Sequence, residues 1–330
     1  MTFKICLAQL NFVVGDLAGN VRRIVAAAHE AHAQGAQLLV TPELALCGYA
    51  AEDLFLRPAF LDACDDALKA IAAETAALNG LTLVVGHPVR QQAGARGRSV
   101  SVAQLFNAAT VLRHGQTLHT YAKQHLPNYQ VFDERRYFVP GDQTVVFDLP
   151  DARGASLRCG LLICEDAWFD APAQAAKAAG AELLVVLNAS PFHAGKGSER
   201  EATMRERVQS TGLPLVYAHL VGGQDEIVFE GRSFALQATG DVAMRAESFR
   251  ENLAFVFVEK AQTAIHLEGT VVPEHGFEAE LWHALVLGVR DYVGKNGFPG
   301  ALLGLSGGID SALVLAIAVD ALGKDRVRTV

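Results

Sequence analysis

Short aliphatic and β-branched runs alternate with alanine-rich stretches along the first part of the chain. Strand-like apolar runs occupy residues 3–10, 37–41 and 81–86, and helical stretches follow Asn20 and Pro58. Apolar runs of this length, separated by amphipathic helical segments, are typical of sheets covered by helices. The hydrophobic pattern therefore predicts an α/β protein.

The apolar pattern lapses over residues 261–275 and then resumes. We therefore predict a first domain over 1–260, a linker over 261–275 and a second unit over 276–330. In the second unit a strand at 301–305 leads through a glycine turn into a helix at 310–322 that is apolar on nearly all sides. Such a helix needs cover on several faces, which so short a unit does not supply. The sequence predicts that the chain ends inside its second domain.

Composition narrows the classes of partner. Hydrophobic residues make up 51% of the 330 residues, and 28 Lys and Arg against 36 Asp and Glu give a net charge of −8. This balance can bury a large core but does not favour nucleic acid or an anionic membrane. Because the N-terminus turns polar at Gln9 and the later apolar runs are too short to span a bilayer, we expect a cytoplasmic protein. We expect small-molecule partners and a homo-oligomer.

One cysteine stands out as a candidate nucleophile. The chain has five cysteines without a disulfide or zinc pattern, so they are expected to be free thiols. Cys164 ends the buried apolar run 157–164 and is followed at once by Glu165 and Asp166. A turn at the end of a strand can project a thiol into a cleft. The ordinary alternative is a cysteine that only packs in the core.

Two other segments carry candidate partners for this thiol. Glu43 follows an apolar strand directly after Pro42, where a charge could act as a general base, although a solvated loop acid is the commoner case. Lys123 opens a stretch dense in aromatic and charged residues, which suits a pocket built by loops or an ordered surface loop. A Cys–His–Glu arrangement would instead use a histidine such as His87 or His193.

Three segments together resemble the nitrilase superfamily of carbon–nitrogen hydrolases: Thr-Pro-Glu-Leu at 41–44, the stretch 121–138, and Ile-Cys-Glu-Asp at 163–166. The resemblance covers roughly residues 1–260 and implies a four-layer αββα sandwich that needs no cofactor or metal. It also implies the catalytic roles. Cys164 is then the nucleophile, Glu43 the general base, Lys123 the stabiliser of the oxyanion, and Glu134 a second acid that positions the other three.

The same resemblance extends to a substrate. Six residues occupy positions similar to the glutamine-binding residues of nitrilase-type glutaminase domains, with an acidic member to pair the α-ammonium group. They are Tyr49, Tyr129, Phe132, Glu165, Ser190 and Lys196. The alternative for the aromatic members is that they only pack the wall of the pocket.

A glycine turn in the second unit predicts a phosphate site. Residues 301–311 read as strand, glycine turn and helix start, the order that places backbone N–H groups around an anion. No lysine follows the glycines, so this is not a Walker A loop. It resembles the Ser-Gly-Gly-x-Asp-Ser loop of ATP pyrophosphatases. By that resemblance ATP is held by Ser306, Gly307, Gly308, Asp310 and Ser311, and Asp310 is a ligand of Mg²⁺. The alternative is a plain turn with a capping aspartate.

The pairing of the two units indicates a function. A nitrilase-type glutaminase ahead of this ATP loop resembles ATP-dependent amidotransferases, in which ammonia from glutamine displaces AMP from adenylated deamido-NAD⁺. The implied second fold is an incomplete doubly wound α/β domain, and the implied substrates are glutamine, ATP and deamido-NAD⁺. One alternative is a free-standing amidase or nitrilase. Another is an inactive scaffold, against which the three intact signatures argue.

Overall fold

The computed structural model describes residues 1–91, 104–151, 154–262 and 264–330. Its helices are α1 Leu17–Ala33, α2 Pro58–Thr75, α3 Asp170–Ala178, α4 Lys196–Thr211, α5 Phe277–Lys295 and α6 Ile309–Leu322. Its strands are β1 Thr2–Gln9, β2 Leu38–Val40, β3 Thr82–Gln91, β4 Gln104–Arg113, β5 Gln116–Ala122, β6 Val146–Pro150, β7 Ser156–Ile163, β8 Leu183–Asn188, β9 Leu215–His219, β10 Val221–Gln224, β11 Ile227–Glu230, β12 Phe234–Leu236, β13 Val242–Arg245, β14 Asn252–Lys260, β15 Ile265–Gly269, β16 Ala301–Leu303 and β17 Val327–Thr329.

Two mixed sheets form the centre of the molecule. The first has strand order β15-β14-β1-β2-β3-β4-β5 and the second β13-β12-β9-β8-β7-β6. A continuous apolar layer joins their facing sides, while α1 and α2 cover the outer face of the first sheet and α3 and α4 that of the second. The layers are therefore helix, sheet, sheet, helix. The predicted αββα sandwich is confirmed.

The burial of β1 shows why its sequence is apolar almost throughout. Ile5 and Leu7 face the second sheet, whereas Cys6 and Ala8 face α1 and α2, and all four are fully buried. Successive side chains of a strand point to opposite faces, so a strand covered on both sides has no solvent-facing positions. Such strands place their chain ends, rather than their faces, within reach of a cleft.

The predicted linker over 261–275 is wrong in part. β15 lies within it and pairs antiparallel with β14, where Leu267 lies opposite Val258 and is buried between the sheets. β15 has five residues and exposes alternate side chains at the sheet edge, so its apolar signal is too weak to distinguish it from a loop.

The second unit is small. β16 and β17 pair in parallel and α6 connects them, which is the beginning of a doubly wound arrangement. The outer face of α6 is open, with Ile309 81% and Leu313 50% exposed. The sequence prediction of an incomplete α/β unit is therefore confirmed. Among the described helices, none is long and apolar enough to cross a bilayer.

Helix α5 joins this unit to the first one by packing on the β10–β11 hairpin. The Asp291 carboxylate accepts hydrogen bonds from Asn11 Nδ2 at 2.6 Å and from the Gly223 N–H at 2.7 Å. The Lys295 ammonium donates to the carbonyls of Phe12 at 2.9 Å and Gly223 at 2.7 Å. Gly223 also lies so close to Gly288 that a Cβ on it would come within 3.2 Å of that helix backbone.

Close backbone approach at Gly86 gives a prediction about stability. A Cβ on Gly86 would lie 2.4 Å from the Pro42 carbonyl oxygen and 2.7 Å from the Leu44 nitrogen, so Gly86→Ala must displace the segment after β2. We expect this variant to lower the free energy of unfolding by about 1–3 kcal/mol, the usual cost of overpacking. The measurement is the midpoint of urea unfolding.

Gly294→Ala is the matched control. Gly294 lies in α5, and a Cβ there meets nothing within 4 Å. Alanine should therefore stabilise the helix by up to about 1 kcal/mol. Equal midpoints for the two variants would show that the contact at Gly86 is not a constraint.

Candidate active site

Four ionisable side chains predicted from separate segments meet between the ends of the strands. Glu43 follows β2, Lys123 follows β5, Glu134 begins a short 3₁₀ helix, and Cys164 follows β7. None of the four is more than 5% exposed. The structure thus brings together all the residues for which the sequence predicts catalytic roles.

Lys123 is at the centre of this group. Its ammonium donates to Glu43 Oε1 at 2.7 Å and to both carboxylate oxygens of Glu134, at 2.8 and 3.0 Å. Burial alone would lower the pKa of Lys123, but the carboxylates of Glu134 and Glu43 outweigh it and raise that pKa well above its usual range. The lysine is therefore charged at neutral pH.

The Glu43 carboxylate is held on both oxygens. Besides Lys123, Oε1 accepts from Asn107 Nδ2 at 2.8 Å, and Oε2 accepts from the Ala189 N–H at 3.0 Å. The backbone carbonyl of Asn107 also accepts a hydrogen bond from the backbone N–H of Lys123 at 2.8 Å. Asn107, in β4, therefore fixes both partners of the Glu43–Lys123 ion pair. The sequence gives no sign of this role for Asn107, which lies in a strand whose pattern indicates only packing.

Cys164 has a strained backbone at the end of β7. Its φ is +45°, a left-handed conformation that costs a residue other than glycine on the order of 1–3 kcal/mol and that is concentrated at functional sites. The residue begins a 3₁₀ helix, Cys164–Trp168, so the chain turns sharply there. Burial, followed by the Glu43 carboxylate, raises the pKa of the Cys164 thiol well above its usual value, although Lys123 opposes this. The resting group is therefore a neutral thiol at neutral pH.

Asp166 joins the segment of Lys123 to the turn of Cys164. One carboxylate oxygen accepts from the N–H groups of Gln124 at 3.0 Å and His125 at 2.7 Å. The other accepts from Tyr121 Oη at 2.7 Å and from the Ile163 N–H at 3.2 Å. Asp166 is fully buried, and the desolvation of its carboxylate would cost free energy without hydrogen bonds. These four bonds offset that cost. Its place beside Glu165 in the sequence gave no sign of this role.

A cavity of about 170 Å³ opens beside Cys164. Five of the six residues predicted to bind glutamine line it: Tyr129, Phe132, Glu165, Ser190 and Lys196. The Tyr129 hydroxyl donates to the Glu165 carboxylate at 3.0 Å, and the Lys196 ammonium lies 4.2 Å from the centre of the Trp168 ring. The cavity therefore offers one negative and one positive side chain, in a volume that suits a small ligand.

Tyr49, the sixth predicted residue, lies beside Glu134. Its hydroxyl donates to Glu134 Oε1 at 3.0 Å, and it lines a second cavity of about 220 Å³ that shares Val131 and Phe132 with the first. The structure therefore places Tyr49 next to the lysine cluster, where its hydroxyl supports Glu134.

Neither alternative histidine is in a position to act as the base. His87 is buried, and its two ring nitrogens lie 2.7 Å from Thr110 Oγ1 and 3.0 Å from the Pro88 carbonyl oxygen. His193 lines the cavity, but its side chain is 58% exposed and faces Glu199 at 3.9 Å. The geometry favours Glu43, which already shares Lys123 with the rest of the group.

The glycine turn of the second unit is exposed to solvent. Gly307 has φ +85°, and a Cβ on it would meet nothing within 4 Å. Gly308 caps α6, and the Ser306 and Ser311 hydroxyls lie 3.1 Å apart. The first N–H groups of a helix have no acceptor within the helix, so an anion can approach them here. Asp310 lies in the first turn and is exposed; over the described ranges no group of three or more potential metal ligands occurs.

Two similar solved structures match the chain over different extents. A glutamine-dependent NAD⁺ synthetase from Acinetobacter baumannii, in complex with ADP, has a TM-score of 0.89 and 38% identity, covering 100% of this chain and 59% of its own. A double mutant of the amidase from Nesterenkonia sp. AN1, in complex with acrylamide, has a TM-score of 0.65 and 28% identity, covering 79% of this chain and 92% of its own.

Sequence relatives extend over both units. Glutamine-dependent NAD⁺ synthetases from Xylella fastidiosa (strain Temecula1) and Acinetobacter baylyi are 44% and 39% identical, over 99% and 100% of this chain. The chain spans 57% of the length of each. The profile of the NAD synthase family matches residues 281–330, and that of the carbon–nitrogen hydrolase family matches residues 4–264. By this match, the chain belongs to the carbon–nitrogen hydrolase family.

Proposed function

We propose that the first unit hydrolyses glutamine through a thioester on Cys164, and that it serves an ATP-dependent synthesis of NAD⁺ from deamido-NAD⁺. The observation that carries the first part is the buried ion cluster in which Lys123 bonds both Glu43 and Glu134 beside Cys164. The NAD synthase match over 281–330 carries the second part. It also favours this function over a free-standing amidase or nitrilase.

The charges of the cavity suit a free amino acid. Glu165 can pair the α-ammonium group of glutamine and Lys196 its α-carboxylate, while the Tyr129 hydroxyl holds the Glu165 carboxylate in place. The aromatic wall of Phe132 covers the aliphatic stem. With both charged ends bound, the carboxamide is directed towards the Cys164 thiol.

In the proposed reaction each of these residues acts through one chemical group. As the Cys164 sulfur attacks the carboxamide carbon, its proton passes to Glu43, and the Lys123 ammonium neutralises the charge that develops on the oxygen. Glu43 delivers the proton to the leaving nitrogen, and ammonia departs. The same carboxylate then takes a proton from the water that hydrolyses the thioester. Glu134 keeps the lysine charged and in place.

The second unit supplies the start of an ATP site. Ser306, Ser311 and the N–H groups at Gly307 and Gly308 would hold the phosphates, and Asp310 would contribute to binding Mg²⁺. Magnesium usually takes few protein carboxylates and completes its shell with phosphate oxygens and water, so one exposed aspartate fits it. Bound Mg·ATP would activate the nicotinate carboxylate by adenylation.

Ammonia is nucleophilic only while unprotonated, and neutral water would protonate it. An enclosed path between the glutamine site and the adenylation site would keep it reactive, and we propose such a path. The homo-oligomer and the cytoplasmic location expected from the sequence stay predictions, which light scattering and cell fractionation can check.

The nucleophile can be tested with a matched pair of cysteines, one within β7 and one directly after it. Cys164→Ala should lower glutamine hydrolysis by at least about 10⁴-fold, because no other group can form the thioester. Cys159→Ala removes a sulfur that lies buried between the sheets, and it should keep the activity within about threefold. The measurement is glutamate release under saturating glutamine. Similar losses in both variants would argue against a covalent role for Cys164.

The lysine can be tested while the net charge of the buried cluster is kept unchanged. In Lys123→Met with Glu134→Gln, acyl-enzyme formation should fall by about 10²–10³-fold, because the charge matters most when the oxyanion develops. Glutamine affinity should change less than about fivefold. Rapid quench gives the first quantity and calorimetry on the Cys164→Ala background gives the second. A loss confined to affinity would contradict the assigned role.

The division of labour can be tested on the full-length protein with two nitrogen donors. Cys164→Ala should abolish NAD⁺ formation from glutamine but keep it with ammonium chloride. Ser306→Ala with Asp310→Asn should lower NAD⁺ formation at least about tenfold with both donors and leave glutamine hydrolysis intact. Hydrolysis of simple amides or nitriles in preference to glutamine, without NAD⁺ formation, would support the free-standing hydrolase instead.

A further inference from the structure

Behind the cavity wall lies a cluster of buried polar side chains that the proposed reaction does not use, apart from Ser190. The cluster joins the end of β8, helix α4, β9 and the end of β11. Its members are Asn188, Ser190, Arg200, Tyr217, His219 and Glu230, none more than 5% exposed. A charged group this deep in a fold is expensive and needs a specific set of partners.

Arg200 connects two of these elements. Its Nη1 donates to Glu230 Oε1 at 2.8 Å, and its Nη2 donates to Ser190 Oγ at 3.0 Å. Burial lowers the pKa of Arg200, but the Glu230 carboxylate outweighs this and the pKa is raised, so the guanidinium stays charged. The planar, forked guanidinium can make both bonds at once in a fixed geometry, which a lysine cannot do.

The bonds to Ser190 determine what its hydroxyl can do. Besides Arg200, Asn188 Nδ2 also donates to Ser190 Oγ, at 3.0 Å. A serine oxygen accepts two hydrogen bonds and donates one. Because both acceptor positions are used, the hydroxyl hydrogen is left for an acceptor in the cavity that Ser190 lines beside Cys164.

His219 does not compete with Arg200 for the Glu230 carboxylate. Burial, and then the Arg200 charge, lower the pKa of His219 well below its usual value, so the ring is neutral. Its Nε2 lies 3.9 Å from Glu230 Oε2 and so makes no ion pair at neutral pH. Glu230 is therefore the counter-ion of Arg200 alone among the members of this cluster.

We propose that Arg200 is a positioning residue for substrate specificity. With Glu230 as its counter-ion, it holds the Ser190 hydroxyl as an obligate donor to an oxygen of the substrate. This deepens the proposed function and rests on it, because the oxygen belongs to glutamine. A ligand without an acceptor at that position leaves the hydroxyl unpaired and is disfavoured.

The test removes both charges together, so that no buried charge is left alone. In Arg200→Met with Glu230→Gln, the KM for glutamine should rise about tenfold, while kcat falls less than about threefold. Arg205→Met is the matched control on the same helix, since Arg205 is exposed and, among the residues that the structure describes, bonds only the Gly240 carbonyl, at 3.0 Å. Its KM should equal that of the wild type.

A double-mutant cycle separates positioning from a general structural effect. If Arg200 acts through Ser190, the charge-removing pair should change KM less than about twofold in the Ser190→Ala background. A full additional tenfold effect there would overturn the proposal, as would an unchanged KM in the pair alone.

The crystal structure of the Arg200→Met, Glu230→Gln variant gives a readout that does not depend on activity. We expect Ser190 Oγ to move by more than about 0.5 Å or to adopt another rotamer. An unmoved hydroxyl overturns the proposal even if the enzyme is active. A wild-type protein that hydrolyses no glutamine would instead contradict the proposed function, and the crystal structure would still decide the positioning role.

Discussion

A single buried ammonium group constrains the whole site. Lys123 has no exposed surface, and its charge is tolerable only because the Glu43 and Glu134 carboxylates contact it directly. Two carboxylates against one ammonium leave the cluster negative. The extra charge is spread over hydrogen bonds from Asn107, the Ala189 N–H and the Tyr49 hydroxyl. Burial, and then this surplus of negative charge, raise the pKa of the neighbouring Cys164 thiol.

The layered fold explains how such a cluster can form. The buried strands β2, β7 and β8 are followed by polar residues, and their carboxyl ends meet that of β5 on one side of the sandwich. Asp166 then fixes the turn of Cys164 to the segment of Lys123. The packing around Cys164 offsets the free-energy cost of its strained backbone. The rigid core thus fixes the positions of the side chains in this cluster.

The second unit contacts the first through the hairpin that ends at Glu230. Helix α5 packs on β10 and β11 through Asp291 and Lys295, and the same hairpin accepts a hydrogen bond from the Phe192 N–H at the Val228 carbonyl, 2.7 Å away. Phe192 itself lines the cavity beside Cys164. The wall of the proposed glutamine site and the beginning of the proposed ATP unit are therefore parts of one packed structure.

The sequence by itself determined the α/β class, the strand ends that carry Glu43 and Cys164, and the glycine turn at 304–308, because these depend on local periodicity and on residue types at fixed spacing. It missed β15, whose apolar pattern is only five residues long. Tertiary structure alone decided that Tyr49 supports Glu134, that Asn107 and Asp166 hold the cluster, and that Arg200 reaches Ser190. Those contacts join residues that lie far apart or follow no pattern, so only the folding of the chain brings them into hydrogen-bonding distance.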